Sequence, residues 1–200
     1  MLMGVVTDAA TVYLDSVFEV ERTNDIVYAT GDVGNPVSGQ IDLKLDLYLP
    51  KGENLPDKVP GLVIVHGGGF VGGDKGVANF VRWCEDYAKR GYVAVSINYR
   101  LRDDDPTAEP GPVPNDTQRL RAINGGTQDA AKAVRWMRAN AETYGIDPDR
   151  IAIGGGSAGA YISLFVGYQE SATIGPDAEV SAIVDLWGGM LGSEELIDPD

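Results

Sequence analysis

The stretch "RIAIGGGSAGAY", Arg150 to Tyr161, changes character within a few residues. Ile151 and Ile153 belong to a short apolar run of the kind that forms a buried strand. Gly154, Gly155 and Gly156 interrupt it, and Ala158 to Tyr161 open a segment of small and apolar residues suited to a helix. A strand that turns this sharply into a helix can hold one side chain exposed at the corner, and that side chain is Ser157. The spacing Gly155-x-Ser157-x-Gly159 supplies two positions without a Cβ, where the turn and the neighbouring helix must approach closely. At the start of a helix, unpaired N–H groups favour developing negative charge beside the serine. Ser157 is therefore the candidate nucleophile. A glycine-rich turn with an incidental serine, or a phosphate cradle, is the competing reading. Phosphate loops, however, add a Lys followed by Ser or Thr, or a Gly-x-Gly-x-x-Gly spacing, and neither is present.

Outward from this point the chain alternates strands with helices. "DIVYATG" and "IDLKLDLYLP" predict an antiparallel entry pair, the second with Ile41, Leu43, Leu45, Leu47 and Leu49 on one face of a half-buried strand. "GLVIVHGGG" and "GYVAVSINY" are continuous apolar runs, as expected of parallel strands covered on both faces. Between them Val77, Phe80, Val81, Cys84 and Ala88 share one helical face. Residues 101–127 are polar and carry four prolines, and they predict a long loop that shapes specificity. A helix is predicted over Gln128–Tyr144, stopped by Gly145, with Asp129 serving its positive end. "AGAYISLFVGYQ" predicts a further helix and "EVSAIVDLWGG" a last strand. The fold class is α/β: a mostly parallel central sheet with helices on both faces, in a single domain spanning 1–200.

Composition narrows the function. Apolar residues make up 44 % of the chain and charged residues 23 %, the proportions of a globular protein. Sixteen basic residues against 30 acidic ones leave a formal charge of −14, which repels phosphate backbones and anionic lipid. Nucleic acid and membranes are accordingly not expected as partners. No apolar run is long enough to span a bilayer, and the first residues lack a secretory leader, so the expectation is either a cytoplasmic location or a leader already removed from the chain. The single cysteine, Cys84, excludes an internal disulfide and sits at a core position. There is no His/Cys cluster and no dinucleotide fingerprint, so neither a metal nor an organic cofactor is expected.

"HGGGF", His66 to Phe70, follows a buried strand end. Acyl transfer creates a negative oxygen that needs backbone N–H donors already in place, and consecutive glycines expose such donors. Gly68 and Gly69, with the N–H of Ala158 just after the serine, form a candidate oxyanion hole; a flexible turn is the alternative. Phe70, Tyr99 and Trp187 follow strand ends on the side where open α/β sheets bind ligands, and are candidate pocket-lining residues.

The segments "LDLYLP", "VIVHGGGFVGGDK", "YVAVSINYRL", "DAAKAVRWMRANAETYGIDPDRIAIGGGSAGA" and "IVDLWGG" together resemble the α/β-hydrolase carboxylesterases and lipases. Within that superfamily they resemble the feruloyl- or acetyl-esterase-like and hormone-sensitive-lipase-like groups. Gly156, where many lipase-type relatives have an acidic residue, leans towards the first of these. The resemblance implies an α/β-hydrolase fold and hydrolysis of small or short-chain carboxylic esters through an acyl-enzyme on Ser157. It makes Gly155 and Gly159 the turn glycines, Gly67 part of the oxyanion loop, and His66 a scaffold residue that holds that loop. It also exposes a gap. The triad order in this fold is Ser, then Asp or Glu, then His, yet His66 is the only histidine in the chain and it precedes the serine. Asp185 and Asp198 are acidic but are not assigned as the triad acid. The chain ends after its sixth strand, about 80 residues before the fold would be complete. The expectation is that a triad Asp and His come from a further C-terminal segment, continuous or as a separate piece. A non-catalytic binding protein on a hydrolase scaffold and a serine peptidase of the same fold are the alternatives.

Overall fold

The computed structural model describes residues 13–34, 38–106, 118–168, 174–175 and 177–189. Strands β1 (Glu19–Val33) and β2 (Gly39–Lys51) pair antiparallel, as the entry pattern predicts. β2 pairs antiparallel with β4 (Val93–Ile97). From there β4, β3 (Val59–Val65), β5 (Ile146–Gly156) and β6 (Ala182–Leu186) run parallel, giving the order β1-β2-β4-β3-β5-β6.

Helices cover both faces of this mixed sheet, and strand periodicity decides which side chain meets which helix. Leu62 and Ile64 of β3, Ala94 of β4 and Tyr48 of β2 point to one face, under Phe80, Cys84 and Ala88 of α1 (Ala78–Ala88). Val63, Val65, Val95 and Ile97 point to the other, under α2 (Gln118–Ala139) and α4 (Ala158–Tyr168). Cys84 is fully buried, and burial pushes its thiol well above the ordinary value of 9.0. Between α2 and β5 lies the single turn α3 (Ala141–Tyr144), which ends at Gly145 with φ of 66°, the left-handed stop its position predicts.

Three expectations are corrected. β2 is not half-buried: in its middle Asp46 and Tyr48 are as enclosed as Leu45 and Leu47, because α1 covers Tyr48 and the side chains of Lys75 and Arg22, with Asp25, enclose Asp46. The helix expected from Gln128 is already running at Gln118, so part of the predicted loop is helix. Gly125 and Gly126 hide this start, since glycine costs a helix about 1 kcal/mol. Their use is close packing: a Cβ on Gly126 would stand 2.7 Å from Ile162 Cδ1 and 3.1 Å from Tyr99 Cδ2. Residues 107–117 of that loop lie outside the described residues.

Asp129, thirdly, does not open a helix. It lies inside α2, fully buried, and holds the equally buried Arg100 beyond β4. Arg100 donates from Nε to Asp129 Oδ2 at 2.9 Å, from Nη2 to Oδ1 at 2.8 Å and from its backbone N–H to Oδ2 at 2.9 Å. Arg100 Nη1 also donates to the Asp32 carbonyl of β1 at 3.0 Å. One guanidinium thus ties the α2 layer to the antiparallel edge of the sheet.

Candidate active site

The elbow is built by backbone contacts that only glycine permits. A Cβ on Gly159 would strike the carbonyl oxygen of Val65, and one on Gly155 would strike the same oxygen and come within 2.6 Å of Gly159 C. α4 therefore seats directly on the end of β3. The corner residue takes the strain: Ser157 has φ of 54°, a left-handed conformation costly for a residue with a Cβ. It is held there from two sides. Its N–H donates to the Leu186 carbonyl at the end of β6 at 3.1 Å, and its carbonyl accepts from Ala160 and Tyr161 at 3.0 and 3.1 Å. Gly156 before it and Ala158 after it are buried, while Ser157 is exposed. Among the described residues its hydroxyl takes no hydrogen bond.

The His66–Phe70 loop is brought against this corner. A Cβ on Gly67 would lie 2.8 Å from the Gly156 carbonyl oxygen and 3.4 Å from Ser157 Cβ. The two glycine motifs, far apart in sequence, form one surface. Gly68 and Gly69 are exposed and have φ of 126° and 63°. The Gly68 carbonyl closes the loop by accepting from Val71 at 3.1 Å and Gly72 at 3.2 Å, and the Phe70 carbonyl accepts from Arg102 N–H at 2.7 Å. Among the described residues the N–H groups of Gly68 and Gly69 have no backbone acceptor, and Ala158 N–H is a free first-turn donor of α4.

His66 faces inward. It is 1 % exposed, its ring stacks on Tyr99 with centroids 4.4 Å apart, and Nδ1 is 2.7 Å from the Gly67 carbonyl. A carbonyl only accepts, so Nδ1 carries the proton of the neutral ring. Burial lowers the ring below its ordinary value of 6.5, against a raising influence from Gly67 and Asp74. The Tyr99 hydroxyl donates to the His66 carbonyl at 3.1 Å. Both ring partners belong to the loop's own scaffold.

The three aromatic candidates part company. Phe70 and Tyr99 are core residues, Phe70 with its ring edge-on to Tyr161 at 6.4 Å and a φ of 65°. Trp187 is 71 % exposed and lies over Gly156, with Cζ2 3.1 Å from that glycine's Cβ position. Its far side meets Trp83 of α1 at 6.0 Å. Asp185 is exposed and accepts the Gly188 N–H at 2.8 Å, capping the turn after β6. Asp198 lies outside the described residues. Sequence reasoning missed the polar group behind the loop, formed by Asp46, Lys75 and Asn98. An alternating strand assigns Asp46 to solvent, and no local pattern marks it as buried.

Comparison with known proteins agrees with this geometry. The profile of the BD-FAE family matches residues 45–190, a span holding both glycine motifs and the last strand. The chain belongs to the BD-FAE family. Among characterised proteins the BD-FAE chain is similar to the chlorogenic acid esterase of Aspergillus niger, 30 % identical over 184 residues, covering 85 % of this chain and 34 % of that protein. It is also similar to esterase LipC of Mycobacterium tuberculosis, 29 % identical over 152 residues, covering 72 % and 33 %. Among solved structures, Thermogutta terrifontis esterase 2 phosphorylated by paraoxon superposes with a TM-score of 0.63 at 25 % identity, over 90 % of this chain and 62 % of that one. The same enzyme bound to butyrate gives 0.59 at 27 %, over 84 % and 52 %. The architecture is thus the α/β-hydrolase fold. The BD-FAE chain spans about a third of the curated relatives it matches first, 34 % and 33 % of their lengths.

Proposed function

We propose that this chain carries the nucleophile and the oxyanion site of a serine carboxylic ester hydrolase acting on small or short-chain esters. One observation carries the reading: an exposed serine at φ of 54°, on a buried strand-to-helix corner, with a glycine loop against it whose Gly68 and Gly69 N–H groups have no backbone acceptor among the described residues. In the proposed reaction Ser157 Oγ attacks the ester carbonyl carbon and gives up its proton to a base. The carbonyl oxygen becomes an oxyanion facing the N–H groups of Gly68, Gly69 and Ala158. Collapse expels the alcohol, which takes the proton, and leaves an acyl ester on Ser157. Water then attacks that ester, and the acid departs with the serine restored. Trp187, exposed beside Gly156, is the aromatic surface best placed to meet the substrate. His66 and Gly67 act as loop scaffold, and Gly155 and Gly159 as the corner.

The base is assigned to a histidine outside these residues, oriented by an Asp on the same segment, because His66 is the chain's one histidine and its ring is committed to Gly67 and Tyr99. Loss of the serine or the histidine alone in a serine protease with the same kind of triad on an unrelated fold costs about 10⁶ in turnover, so turnover by these 200 residues without that segment is expected to be very low. The same commitment of His66 supports the second reading, a ligand-binding protein that keeps the site without the base. The deciding experiment is mass spectrometry after incubation with a p-nitrophenyl phosphonate, with imidazole added to stand in for the base assigned outside these residues. Stoichiometric phosphonylation of Ser157, absent in Ser157→Ala, supports the hydrolase. A folded protein that stays unlabelled overturns it in favour of the binder. Ester and amide substrates of the same acyl group, compared side by side, separate an esterase from a peptidase.

A further inference from the structure

The oxyanion loop returns to the sheet through "GGDK", Gly72 to Lys75, and this return limb is fastened with unusual density. Lys75 is 8 % exposed although its side chain is charged. Its Nζ lies 2.9 Å from Asp46 Oδ1 and 3.0 Å from Asp25 Oδ1. Asp46, 1 % exposed, also accepts from Arg22 Nη2 at 2.7 Å and from the Asp25 N–H at 3.0 Å. The Lys75 main chain is held as well: its N–H donates to Asn98 Oδ1 at 2.6 Å, and its carbonyl accepts from Ser96 Oγ at 2.8 Å. Asn98 passes the connection on, donating from Nδ2 to Asp74 Oδ2 at 3.0 Å.

The limb is fastened against the site itself. Gly73 has φ of 107°, and a Cβ there would strike His66 Nδ1 and the Gly67 oxygen. A Cβ on Gly68 would strike the Gly72 oxygen. Displacement of Lys75 therefore passes to Gly73 and Gly72, and from them to the Gly67–Gly68 backbone that presents the donors. β1 is irregular at this place: its register against β2 shifts between Thr23 and Ile26, and Asp25 has φ of 60°. That bulge carries the Asp25 N–H and carboxylate over Asp46 and Lys75.

On the reading of this site as an oxyanion hole, we propose that Lys75 is a positioning residue for it, acting from the buried Asp46 carboxylate through Gly73 on the Gly68 and Gly69 N–H groups. It does not touch the substrate. A single oxyanion donor contributes about 10²–10³ in rate, so loosening the loop that carries two is expected to cost at least tenfold. The experiment is phosphonylation of Ser157, with imidazole present as the base, followed by p-nitrophenol release over a range of probe concentrations, in the wild type, Lys75→Met and Lys75→Arg. In Lys75→Met, Asp46 keeps Arg22 and the Asp25 N–H, so the variant retains a partnered carboxylate and is expected to fold. The expected result is a limiting rate at least tenfold lower in Lys75→Met, half-saturation within twofold of wild type, and recovery to within about threefold in Lys75→Arg. Equal limiting rates in folded Lys75→Met and wild type would overturn the proposal.

Hydrogen exchange decides the case even if the wild type is unreactive, an outcome that would overturn the hydrolase reading alone. The Val71 and Gly72 amides, bonded to the Gly68 carbonyl, are expected to exchange at least tenfold faster in Lys75→Met, with the β4 amides unchanged. Unchanged exchange at Val71 and Gly72 would overturn the positioning role on its own.

Discussion

His66 is buried with its ring against Gly67 and Tyr99, and in the proposed site it holds the loop without reacting. Its neutral ring is preferred by the fold, because burial opposes the charged form. The unfolded chain takes up a proton as pH falls through the ordinary value of 6.5, and the folded chain does so only at lower pH. The stability gained from holding the neutral ring is therefore complete above 6.5 and fades below it. The urea-derived stability difference between wild type and His66→Gln is expected to be largest near pH 7.5 and to narrow by pH 5.5; a difference that widens on acidification would contradict the assignment. At this scale the corner geometry is legible in the sequence: Gly155, Gly159 and Gly67 stand where a Cβ would meet backbone, and Ser157 is exposed between them. Asp129 and Asp46 were not legible, because their partners come from distant strands and no local spacing records a long-range ion pair.

Elements were read best where burial was simple. β3, β4 and the apolar core of β5 stand out because both faces are covered and the runs are unbroken. The start of α2 was obscured by Gly125 and Gly126, whose local cost is recovered only when α4 and Tyr99 are packed against them. Alternation makes β2 look half-buried because it reports side-chain type and not what covers the polar face in the fold. The join between β4 and α2 gives the clearest prediction for this scale. Asp129→Ala leaves the Arg100 guanidinium 0 % exposed and stripped of its carboxylate. Breaking such a pair costs about 3–5 kcal/mol. At a urea m-value of roughly 2 kcal/mol/M, the midpoint is expected to fall by about 2 M. A fall under about 0.5 M would mean that Arg100 finds other compensation.

For the whole molecule the asymmetry of the sheet matters most. At one end Arg100 and the β1–β2 pair make a well-fastened border. At the other, β6 is the last strand in the sheet order among the described residues, with Ala182 exposed and Ile183, Val184 and Leu186 half-buried. A groove of about 340 Å³ runs along this border on the α1 side, between Tyr87 and Tyr92 and the strand residues Leu62, Ala152 and Val184. Apolar borders of this kind promote edge-to-edge association, and a charge on the strand blunts it. Ala182→Lys is expected to lower light scattering at fixed concentration without changing the urea-derived stability by more than about 0.5 kcal/mol. Unchanged scattering would show that association proceeds through another surface. The α/β class follows from the alternation of runs; the strand order comes from the structure. What lies against the border is a matter of tertiary covering, which the pattern within a strand does not encode.

The sealed Cys84 gives this protein a clock of its own. It is the chain's one thiol, fully buried beneath α1, and burial holds it in the unreactive protonated form. An alkylating reagent can reach it only in the moments when that helix lifts from the sheet. The ratio of its alkylation rate to that of an unfolded cysteine therefore reads the frequency of lifting directly, each factor of ten standing for 1.4 kcal/mol.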